Sequence, residues 1–147
     1  MRAASDLSRA VQGASRALGE LNDRVEHLKV ALRDTPEATE QQRQTLDAIE
    51  RRLDDIAVDL EGDSVKARAN EPRPMSLTER VNMFAWAHWN ALAALTGNQA
   101  RSLEVARAQF DDVRSRMTQA ADDLEALEDE IAGVAPWTPG RIPELEQ

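Results

Sequence analysis

One feature narrows what this chain can fold into more than any other. Apolar residues recur alternately four and three positions apart at Leu7, Val11, Ala14, Leu18, Leu21, Val25, Leu28 and Leu32. On a 3.6-residue period, that spacing draws a single stripe down one side of an α-helix. A stripe sustained over so many turns has to be covered by other helices. The rhythm returns through Gln42, Leu46, Ile49, Leu53, Ile56 and Leu60. It returns again, in its longest form, through Leu103, Ala106, Phe110, Val113, Met117, Ala120, Leu124, Leu127, Ile131 and Val134. At 1.5 Å rise per residue the last of these helices reaches about 45 Å.

A fourth helix is wider in its apolar arc. Leu77, Val81, Phe84, Ala85, His88, Leu92 and Leu95 share one face, and Trp86, Trp89 and Ala93 broaden it, so this is expected to be the most buried helix. Composition points the same way. Ala, Leu, Arg, Glu and Gln, all strong helix formers, dominate, whereas aromatics are 3% of residues and Tyr is absent. With 41% apolar and 31% charged residues, the chain is too hydrophobic and too periodic for a disordered polymer. Its 147 residues suit one domain, which at this size buries roughly two thirds of its unfolded surface. The expected fold is all-α: an antiparallel four-helix bundle built from two helical hairpins, with an extended C-terminal tail containing Pro and Trp.

Local signals set the expected boundaries, with helices over about 5–33, 36–61, 77–95 and 99–132, a linker over 63–75 and a tail over 133–147. Thr35-Pro36-Glu37 offers an N-cap, a proline at the first helical position and an acid against the helix dipole. Gly62-Asp63 offers a stop. Pro72-Arg73-Pro74 cannot be helical, and Ser76-Leu77-Thr78-Glu79 has the form of a capping box. Thr96-Gly97-Asn98 suggests a turn with Gly97 in a left-handed position after a helix. The tail from Ala135-Pro136-Trp137 to Ile142-Pro143 is expected to pack as an extended strap.

The net charge of −9 is unevenly placed. Residues 35–63 hold nine acids against three bases, residues 98–133 nine against four, and residues 1–34 five against six. Such a surface repels phosphate, and no Lys and Arg stripe offsets it, so neither nucleic acid nor an anionic membrane is an expected partner. Apolar runs fall short of a bilayer span, and membrane insertion is not expected. There is no cysteine, hence no thiolate nucleophile, disulfide framework or zinc ribbon.

Candidate chemistry is thin. Adjacent carboxylates at Asp54/Asp55, Asp111/Asp112 and Asp122/Asp123 point about 100° apart on a helix. A di-iron bundle would need Glu-x-x-His pairs, which neither His27 nor His88 completes, so these acids are expected on solvated faces. His27 is expected at the surface and His88 as a hydrogen-bonded histidine of the apolar arc. No nucleophile elbow, phosphate loop or dinucleotide fingerprint occurs. No catalytic residue, cofactor or metal is therefore expected. The side chains suited to docking are Trp86 and Trp89, three apart on one helix, and Trp137 on the tail, since indole offers a flat apolar face with one donor. Long seams also admit a coiled-coil adaptor or homodimer.

Leu77-Thr78-Glu79-Arg80-Val81-Asn82-Met83, continuing to Leu92-Ala93-Ala94-Leu95, a short turn and a long helix to Met117, resembles the C-terminal helical region of bacterial sortilin-like BNR-repeat proteins, often labelled glycosyl hydrolases. The opening Ala3-Ala4-Ser5-Asp6-Leu7, running into Leu18-Gly19-Glu20-Leu21-Asn22, and the stretch Gly133 to Pro136 resemble the two ends of that region. The likeness covers nearly the whole chain through loose helix patterns. It implies a non-catalytic accessory domain that follows a β-propeller and a β-sandwich, with the natural protein extending upstream of Met1. Any glycosidase chemistry would then belong to the propeller. The implied partners are those upstream β domains or another protein, and the implied setting is periplasmic or extracellular.

Overall fold

A computed structural model of the chain describes residues 2–69, 71–90 and 97–132. Those residues are all-helical, in the order α1 (Arg2–Asp34), α2 (Glu40–Glu61), α3 (Ser64–Arg68), α4 (Leu77–Asn90) and α5 (Gly97–Ala132). The expected tail, with Trp137, lies outside the described residues.

The apolar seams are the core. Along α1 Leu7, Val11, Leu18, Leu21, Val25, Leu28 and Leu32 are buried, along α2 Leu46, Ile49, Leu53, Ile56 and Leu60, and along α5 Ala106, Val113, Met117, Ala120, Leu124, Leu127 and Ile131. Ala14, Leu103 and Phe110 pack half-buried against them. On α4, Leu77, Val81 and Phe84 join the same cluster. The expectation that this helix is the most buried extends to side chains beyond Phe84, which lie outside the described part.

Polar bridges fix how the helices run past one another. Lys29 of α1 pairs with Glu50 of α2, and the Arg43 guanidinium donates to the Leu32 carbonyl at 3.3 Å, so numbering falls on one helix as it rises on the other. Arg52 meets Asp123 at 2.7 Å and Arg116 meets Asp59 at 2.5 Å, giving α2 and α5 the same opposed sense. Arg24 holds Glu128 through two bonds of 2.9 and 2.6 Å, and Leu7 and Leu103 share a pocket near the other ends of α1 and α5. Thr78 at the start of α4 donates its hydroxyl 2.7 Å to the carbonyl of Leu60, in the last turn of α2. That bond satisfies a carbonyl the end of α2 leaves without an intrahelical partner. Beyond it Val81 and Phe84 reach the Ala4–Arg9 turn of α1 and Leu103 of α5.

Several boundaries differ from expectation for local reasons. The second helix is capped by Thr39 and not by Thr35. Thr39 accepts from the Gln42 backbone N–H at 3.2 Å while Gln42 returns its side chain to the Thr39 N–H at 3.0 Å, a complete capping box. Gln42 thereby serves the cap and not the core seam. Thr35 is instead buried and its carbonyl accepts from Ala38 in a turn that contains Pro36. The linker is not irregular throughout. Asp63 accepts from the backbone N–H groups of Val65 and Lys66, both at 3.0 Å, and so caps the short α3. Gly97 is not a left-handed residue: it opens α5, and Gly62 is the one positive-φ glycine among the described residues. Glycine is tolerated at either end of a helix, so its presence alone does not say which end it marks.

Candidate docking surface

The chain leaves the end of α2 and returns to start α4 at nearly the same point, and both turns are built from short-range chemistry. Gly62, with φ 103° and ψ 161°, lets its N–H reach back to the carbonyls of Ala57 and Val58, closing α2. A backbone of this shape is almost exclusive to glycine. On the return, Ser76 and Glu79 exchange capping bonds of 2.9 and 3.2 Å. Glu79 also takes the Arg73 guanidinium in a two-pronged pair. That pairing, with the Ser76 backbone bond second to it, holds the Glu79 carboxyl down at about 2. The Arg73 guanidinium lies over Gly62, where an added Cβ would meet Nη1 at 2.8 Å.

Beside this junction lies a cleft of about 520 Å³ between the end of α2, the returning chain and α5. Val58, Met75 and Val105, from three separate segments, line it while remaining 46%, 42% and 44% exposed. The core residue Val113 also lines it. Its rim is charged yet balanced. Arg116 sits between Asp59 and Asp112, the latter at 2.9 Å from Nε, and the Asp59 carboxylate is the main reason that Arg116 holds its proton more tightly than usual. Asp63 is drawn below the ordinary carboxylate range, chiefly by the Lys66 backbone N–H. Single exposed apolar residues need no explanation, but three gathered in one concavity with a polar rim resemble the centre of a protein interface.

The residues singled out in the sequence stand elsewhere. Trp86 and Trp89 are on the backbone of α4, and their side chains, like that of His88, lie outside the described part. Trp137 is also outside it. His27 is half-buried on α1 and not fully at the surface, with its Nδ1 2.6 Å from the Asp23 carbonyl oxygen. Asp54, Asp55, Asp111 and Asp122 are exposed, while Asp112 and Asp123 are engaged by Arg116 and Arg52. No group of three or more potential metal ligands occurs among the described residues. No helix among them is long and apolar enough to cross a membrane. The cleft left little trace in the sequence because, of its exposed apolar members, Val58 and Val105 sit off their seams at positions that helical phase assigns to solvent and Met75 lies on the non-helical return. A weak signal was present in Val58 and Val105, each flanked by a charged residue and out of register with its own seam. Set against family models, curated proteins and solved structures, the chain matches none of them.

Proposed function

We propose that this chain is a non-catalytic helical interaction domain, docking another protein surface through the cleft beside the α2–α4 junction. The observation that carries the reading is the convergence of exposed Val58, Met75 and Val105 in one concavity. A charge-balanced rim around a small apolar centre suits a protein surface better than a strongly charged polymer. The likeness of Leu77 to Met117 to sortilin-like BNR-repeat proteins supports a place after the β-propeller and β-sandwich of such a parent, in a periplasmic or extracellular setting. In that reading the upstream β domains are the partner, and Trp86, Trp89 and Trp137 supply further anchors.

The proposed architecture keeps the two expected hairpins but sets α2 and α4 end to end along α1 and α5, not side by side. Three helices then stand in any cross-section. Supporting it are the Leu60–Thr78 hydrogen bond, the opposed sense of α2 against both long helices, and the seating of α4 at the Leu7 and Leu103 ends. Lengths agree as well, because α2 with 22 residues and α4 with 14 together equal the 36 of α5.

Calorimetric titration of the chain with the β domains encoded upstream of it tests the docking. Val105→Asp, which places a charge at an already exposed position, is expected to weaken binding at least tenfold while leaving the helical circular dichroism unchanged. Undiminished binding by that variant removes the cleft from the interface, and a gene without an upstream propeller removes the family placement.

A further inference from the structure

The returning chain ahead of α4 carries one wall of the cleft, where Pro74 and Met75 line it, and its backbone has little to hold it there. Pro72 and Pro74 have no N–H to donate, and among the described residues no backbone–backbone hydrogen bond reaches any of residues 72–75. The last such bond before them runs from the Glu71 N–H to the Lys66 carbonyl, and the next is accepted by the Ser76 carbonyl from the Arg80 N–H. A side chain takes the place of the missing bonds. The Arg73 guanidinium donates to both carboxylate oxygens of Glu79, to one of them at 3.0 Å, and Glu79 is itself fixed by the Ser76 N–H at 2.9 Å. Behind the guanidinium lies Gly62, whose missing Cβ leaves the room that Nη1 occupies. The Arg73 and Glu79 side chains remain 23% and 40% exposed, and ion pairs so open to water add little to overall stability, so the effect of this one is local.

We infer that Arg73 is a positioning residue: its fork on Glu79, seated over Gly62, holds residues 72–75 in place and so presents Met75 beside Val58 and Val105 before any partner arrives. The two proline rings that flank Arg73 restrict the backbone on either side of it, so that fixing this one side chain fixes its neighbours as well. A surface ordered in advance spares a partner the cost of ordering it on binding. The inference rests on the cleft that the docking reading uses, yet it concerns the free chain and is tested without a partner, so either can fail alone.

The chain has no cysteine, so Met75→Cys gives a unique site for a nitroxide label, read by electron paramagnetic resonance on the whole chain. Val105→Cys, on the α5 wall of the same cleft, serves as the control. In the otherwise unchanged chain the label at 75 is expected to be immobilised. Two further substitutions release it: Arg73→Ala, which deletes the fork, and Glu79→Gln, which removes the ion pair while keeping an amide able to serve the capping box. Each should shorten the rotational correlation time of the label at 75 by roughly twofold or more, with the label at 105 and the helical circular dichroism unchanged. A label at 75 that is already mobile without either substitution, that is indifferent to both, or that loosens only together with the label at 105, overturns the assignment.

Discussion

Glycine does opposite things at different places in this chain. Gly62 occupies a backbone region that other residues reach only with strain, and its missing side chain leaves room for the Arg73 guanidinium. Gly62→Ala should therefore destabilise the protein by about 1–3 kcal/mol, read as a lowered urea midpoint. Gly13 and Gly19 lie inside α1, and a Cβ at either would meet nothing within 4 Å. Helical glycine costs about 1 kcal/mol against alanine, so Gly13→Ala and Gly19→Ala should each raise the midpoint by roughly that amount. A destabilising result at Gly13 or Gly19 would contradict the open space around them. At this scale the sequence was only partly legible. Gly62 could be read as a stop because a seam ended beside it, but Gly97 was misread because the residue type does not say which helix it bounds.

Among the elements, the seams were the most legible part, since burying a stripe is what sets the period in the first place. Leu46, Ile49, Leu53, Ile56 and Leu60 were all placed correctly from spacing alone. The start of α2 was not, because two threonines compete for it. The winner is Thr39, which has Gln42 three residues ahead to complete a reciprocal cap, an advantage that Pro36 next to Thr35 does not outweigh. Five-residue α3 went unseen for another reason. A single turn buries no side chain and leaves no period to read. That weakness is measurable. Trypsin in brief exposure should cut first after Lys66 or Arg68, which are exposed on α3, and the two products should remain together on gel filtration, held by the shared core. First cleavage within α2 or α5 would be inconsistent with the packing described.

For the whole molecule, the same seams that admit a coiled-coil dimer on paper are already covered inside one chain. Among the described residues, most a and d positions from Leu7 to Ile131 are buried in a core shared by helices of the same chain, and the apolar surface that stays open there is the groove between α1 and α5 beside the half-buried Ala14 and Phe110. Sedimentation velocity at micromolar concentration should give a monomer near the chain mass of 16.3 kDa, and a concentration-dependent dimer would reopen the homodimer reading. Charge supports this outcome, as a net −9 on a small protein opposes self-association at low salt. The four longer helices and the described core were thus legible from periodicity, whereas the short α3 and the proposed sharing of one side by α2 and α4 were not. That sharing depends on a hydrogen bond between Thr78 and Leu60, 18 positions apart, and on a cleft made by residues with no sequence pattern in common.

The Leu60–Thr78 bond means that the chain departs from and rejoins the same spot. Everything threaded between Gly62 and Ser76 is thus a side branch whose length is not fixed by the spacing of the helices, since lengthening a closed loop adds only a slowly growing entropic cost. Residues inserted between α3 and Pro72, clear of the Arg73 and Met75 that the junction uses, should therefore leave the seams that specify the fold in register.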